Sequence, residues 1–174
     1  MKTWKQYAQT YRDQEDIFDF ARQGNLRGLV DMFTHNFDST TQPNTDINSR
    51  NSRGYSALML AVYNGEKDFC EALLRLGADV NSTDFVGNTV LMAAAFKGNL
   101  NIFKLLLSYG ADSKLINQSN MTTKDWASMF GRKDILQFID ENDPENEKTS
   151  KLKIIFRFLK LGLLAFKSQH RTKK

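Results

Sequence analysis

The side chains able to do chemistry are few and scattered. Cys70 is the only cysteine, and His35 and His170 are the only histidines. An internal disulfide and a cysteine-based zinc cluster are therefore excluded, and little is left for a histidine-ligated metal. Cys70 falls on an apolar stripe and reads as a small buried hydrophobe. His35 sits near a helix end, where a cation is favoured, and His170 lies in a polar tail. The carboxylates Asp13, Glu15 and Asp16 read as the solvated, negative start of a helix rather than an acid–base pair. No glycine-rich phosphate loop is present, because the glycines recur at a fixed interval and mark turns. No set of nucleophile, base and orienting group emerges. The expectation is a non-enzymatic protein with no cofactor and no metal.

The elements that position these residues show themselves by self-comparison. Gly54, Gly87 and Asn120 are spaced by 33 residues, as are Gly65, Gly98 and Gly131. Gly77-Ala78-Asp79 recurs as Gly110-Ala111-Asp112 at the same interval. Gly24 precedes Gly65 by 41 residues. The excess falls in 38–46, a Ser/Thr/Asn/Pro-rich stretch read as a loop insertion, either a recognition finger or tolerated surface variation. Inside each period the apolar spacing is helical. Leu58, Ala61 and Val62 share one face, matched by Leu91, Ala94 and Ala95. Phe69, Cys70, Leu73 and Leu74 form a second stripe, matched by Ile102, Phe103, Leu106 and Leu107. Gly77 and Gly110 stand where a helix needs a left-handed C-terminal residue. Each unit is helix, tight turn, helix, cap and loop, too small to bury its own stripes, so neighbours must stack.

On these residues the chain resembles the ankyrin-repeat family. The family's Thr-Pro-Leu-His-x-Ala signature has its counterparts in Ser56-Ala57-Leu58-Met59-Leu60-Ala61 and Thr89-Val90-Leu91-Met92-Ala93-Ala94, and Gly77 to Asn81 carries its Gly-Ala-Asp-Val-Asn ending. The resemblance implies an all-α solenoid of about four helix-turn-helix units over 16–142 (16–48, 51–83, 84–116 and 117–142), the outer two degenerate as caps. A helical extension, 1–15, precedes it. An acidic linker end and a basic amphipathic C-terminal helix, 143–174, follow. Neither middle unit keeps the family's proline or histidine, which should cost stability but not the fold. Lys124 and Asp125 in the last unit suggest an outer face meeting water or the tail. Trp4, Tyr7 and Tyr11 are expected to shield the N-terminal end of the stack.

The resemblance also implies a protein partner, held on the concave side by loop tips and first helices. Transferred position by position, that side comprises Arg53, Tyr55, Phe85, Val86, Asn88, Ser119 and Met121 beside the turns. Tyr63, Asn64, Phe96, Lys97, Met129 and Phe130 stand before the central glycines. Exposed aromatic and Arg-rich surfaces are what interface hot spots look like. The alternative is that several of these rings pack on neighbouring loops.

Charge divides the chain of 174 residues. From Lys148 to Lys174 there are nine basic residues and no acidic one, whereas Met1 to Glu147 carries 15 basic and 20 acidic. Lys153, Arg157, Lys160 and Lys167 form a narrow basic ridge on an otherwise apolar stretch. Three roles compete for it: a cap on the last unit, an anchor on an anionic membrane surface, or a ligand for a partner's groove. The tail is too apolar to track phosphates and the body is acidic, which argues against nucleic acid. No secretory signal and no 18-residue apolar run occurs. With a single thiol, this suggests a cytoplasmic protein, peripheral to a membrane or host-delivered if it is a bacterial effector.

Overall fold

The structure, a computed structural model, describes residues 16–34 and 46–142. Among them are eight helices: α1 (Ile17–Gln23), α2 (Leu26–Thr34), α3 (Ala57–Asn64), α4 (Lys67–Arg75), α5 (Val90–Lys97), α6 (Leu100–Ser108), α7 (Thr123–Met129) and α8 (Lys133–Asn142). The odd-numbered helices pack on one another in one layer, and the even-numbered ones form a second layer behind them. The extension 1–15, residues 35–45 and the tail 143–174 lie outside the described residues. With them lie Trp4, Tyr7, Tyr11, His35, nearly all of the 38–46 insertion, His170, Lys153, Arg157, Lys160 and Lys167.

Local chemistry sets each boundary. Asp16 caps α1 by accepting from the Phe18 and Asp19 amides at 2.9 Å. Ser56, Thr89 and Thr122, spaced by 33 residues, cap α3, α5 and α7 by accepting from the amide three residues on. Such a cap stabilises a helix by about 1 kcal/mol. It also leaves the first turn intact where the family's proline is missing. Gly24, Gly65 and Gly98 close α1, α3 and α5 in the left-handed region, with φ of 64°, 83° and 77°. Asn120 takes the place of Gly54 and Gly87 at φ 55°, the one non-glycine residue with positive φ among those described.

The core follows the two apolar stripes. Ala61, Ala94 and Ala127 are fully buried along the odd-numbered row, where a small side chain lets successive helices approach. Phe69, Cys70, Leu73, Ile102, Phe103, Leu106 and Ile135 fill the space between the layers. Polar ties repeat with the same period. The Asn48 carbonyl oxygen accepts from the Asp79 amide at 2.7 Å, and Asn81 accepts from Asp112 at 2.9 Å one unit later. Each loop is thus pinned to the next without the family's histidine.

The last unit departs from the sequence expectation. Lys124 and Asp125 do not face water; both are buried. Lys124 Nζ reaches Asp140 Oδ1 on α8 at 2.6 Å. Asp125 Oδ2 accepts from the Thr122 amide and hydroxyl at 2.9 and 3.0 Å, closing a reciprocal cap. Lys124 occupies the position of Leu58 and Leu91. Because its partner Asp140 is more than half exposed and water can solvate that carboxylate, Lys124→Leu should leave the melting temperature unchanged or raise it. A clear drop would show that the charge itself holds α7 against α8.

Candidate partner-binding face

Five aromatic rings connect across three units. Tyr55, on the loop before α3, lies 5.8 Å from Tyr63 at the end of α3. Tyr63 meets Phe96 of α5 edge-on at 6.2 Å, and Phe96 meets Trp126 of α7 at 6.0 Å. Phe130 completes the row, edge-on to Phe96 at 4.6 Å and stacked on Trp126 at 5.5 Å. Such pairs add about 0.5–1.5 kcal/mol each beyond the area they bury. Tyr63 and Phe96 hold equivalent positions in adjacent units, and Tyr55, Trp126 and Phe130 extend the row from other positions of the repeat. Tyr55, Tyr63, Phe96 and Trp126 are each half-buried, and Phe130 is 38% exposed. One edge of the ladder rests on the core and the other is open.

The hairpin tips stand beside it. In each tip one side chain organises the turn: Asn51 accepts from the Arg53 and Tyr55 amides, Asp84 from Val86 and Asn88, Asn117 from Ser119 and Met121. Neighbouring tips are joined by Asn117 Nδ2 donating to Asn88 Oδ1 at 2.7 Å and by the Gln118 amide donating to the Val86 carbonyl at 3.1 Å. Phe85 and Val86 remain 63% and 51% exposed at the second tip, although the Phe85 ring also lies over Gly54 of the preceding tip. Arg132 reaches back across units in the same way, its Nε–H donating to the Phe96 carbonyl at 2.9 Å while its stem covers Gly98.

Of the residues expected on this side, Tyr55, Tyr63, Phe96 and Phe130 join in the ladder. Arg53, Asn64, Phe85, Val86 and Lys97 are exposed, and Asn88, Ser119 and Met129 half-buried. Met121 is a correction. It is 4% exposed, because its amide and carbonyl both pair with Asn117 and its side chain turns inward, so it offers a partner nothing. Trp126 was not among the expected residues. It occupies the position of Leu60 and Ala93, which are buried in the middle units, and at the last unit the ring comes into the row. Its indole nitrogen is buried without an acceptor.

Two groups on or under this face hold their protons tightly. Burial, with smaller contributions from Tyr55 and Asp84, pushes the Tyr63 hydroxyl up to about 12. The Cys70 thiol is pushed from 9.0 to about 12, by burial first and the Glu66 carboxylate second.

A family model described as ankyrin repeats matches residues 58–150 in three copies, more than half of the chain. The chain belongs to the ankyrin-repeat family. Ankyrin repeats are in general protein–protein interaction modules, typically without catalytic activity. The match begins inside α3, yet α1 and α2 form a helix pair stacked on α3 and α4 as a further ankyrin unit would be. No curated protein matches the chain.

The raised Cys70 value fixes the sign of an alkaline effect. A thiol whose folded pKa exceeds its unfolded one stabilises the fold below the unfolded value and loses that contribution as pH rises through the folded one. Stability should fall between about pH 9 and about 12, less steeply in Cys70→Ala. Thiol reagents at neutral pH should modify Cys70 only after unfolding. Rapid labelling of the native chain would contradict its burial.

Proposed function

We propose that this protein is a non-enzymatic cytoplasmic adaptor that captures a partner protein on the concave loop-and-inner-helix side of its ankyrin stack. The observation carrying this reading is the half-open aromatic ladder from Tyr55 to Phe130, flanked by exposed Phe85, Val86, Arg53 and Lys97. A row fixed by the stack is preorganised, so binding need not pay to order it. The mechanism is surface complementarity with no bond made or broken.

The triple variant Tyr63→Ala, Phe96→Ala, Lys97→Ala tests this. Partner capture should disappear, while a cooperative melt survives at a lower midpoint, since the variant loses four ring pairs worth about 0.5–1.5 kcal/mol each at the edge of the core. Equal collapse of folding and binding would make these core residues and end the proposal.

A second role rests on the tail's composition, nine basic residues in and around an apolar stretch. Apolar burial combined with attraction to anionic lipid would hold it at a membrane surface. At low salt, the full chain should float with anionic liposomes and a truncation after Glu147 should not. Identical behaviour of the two would remove this role.

A further inference from the structure

The charges around the ladder specify more than protein binding. We propose that this face selects an acidic, apolar-patterned segment of its partner, whose apolar side chains pack on the open edges of the rings while its carboxylates meet Arg53, Lys97 and Arg132. This rests on the reading that the face binds protein, and adds the class of segment.

The first observation is the ladder's spacing. Successive steps of 5.8, 6.2 and 6.0 Å separate Tyr55, Tyr63, Phe96 and Trp126. Side chains on one face of an extended segment repeat at about 6.6 Å, and residues four apart on a helix at about 6 Å. Either arrangement sets consecutive same-side apolar groups against the open edges of consecutive rings.

The second is sign. Arg53 and Lys97 are exposed and form no ion pair with the described residues. Arg132 is pinned beside Phe96 by its Nε–H, which holds its positive charge at the ladder. Neither nearby carboxylate, Asp84 or Glu66, is exposed. Asp84 is buried, and its oxygens accept from the Val86 and Asn88 amides and the Asn88 side chain. The Glu66 carboxylate lies over Gly24 of the preceding unit. Tyr63 stays neutral. Both carboxylates keep their negative charge, but the exposed charges beside the ladder are those of Arg53 and Lys97, joined by Arg132, so the open side is basic, although residues 1–147 carry more acidic than basic groups. Such a local inversion steers an acidic partner to this side and repels basic ones.

The test is selection of a phage-displayed random peptide library against the full chain. Peptides of roughly a dozen residues cover the ladder's roughly 18 Å whether extended, at about 3.3 Å per residue, or helical, at about 1.5 Å per residue. Selected peptides should be enriched in Asp and Glu interleaved with apolar residues, and should bind at least tenfold more tightly than their Lys-substituted counterparts, more weakly as salt rises. The double variant Arg53→Glu, Lys97→Glu, both at exposed sites, should reverse the order. Neutral or basic selected peptides, or an order unchanged by the reversal, overturn the proposal. If Tyr63→Ala and Phe96→Ala still abolish binding of those peptides, the protein-binding reading stands without it. No enrichment beyond that seen with Phe96→Ala overturns both.

Discussion

Every feature of this molecule depends on helix pairs too small to bury themselves. A pair such as α3 and α4 carries apolar side chains on several sides, and nothing within the pair can cover them all. Stacking at a constant interval supplies the cover. Ala61, Ala94 and Ala127, all fully buried, mark where successive helices meet. The same constraint produces the ladder, because a repeated stack brings the residue at each equivalent position beside its counterpart. Tyr63 and Phe96 touch because they hold the same place in adjacent units. The proposed binding face is a by-product of the packing that folds the chain.

Much of this architecture was legible in the sequence because the markers are stereochemical. Gly77 and Gly110 have the left-handed φ, 91° and 88°, that their place after each second helix implied, and the turn markers Gly24, Gly65, Gly98 and Asn120 also have positive φ. The stripes through Phe69 and Phe103 went to the core for the same reason. Polar ties were harder to read. An asparagine such as Asn81 looks like any loop residue until its carbonyl oxygen is seen on an amide of the next unit. Lys124 also misled, since a charge normally signals solvent, whereas here Asp140 sixteen residues on allows it to be buried.

The aromatic face proposed to bind a partner was half legible for a related reason. Position within the repeat located Tyr63 and Phe96, but it also nominated Met121, which the Asn117 turn folds inward. It passed over Trp126, whose equivalents are interior and which joins the ladder in the last unit. The signal was its size: a tryptophan where the middle units have leucine and alanine cannot be housed in the same space. Charge added what position could not, because only the fold shows which carboxylates are engaged and which cations remain open.

Coupling between units is the central physical claim, and amide hydrogen exchange on the full chain carrying Ala94→Leu measures it directly. Extra bulk at this fully buried site forces α5 away from both neighbours. The account requires faster exchange in α3 and α7 as well as in α5, since each is covered by the next. Faster exchange confined to α5, with α3 and α7 unchanged, would show units that stand alone and would contradict it.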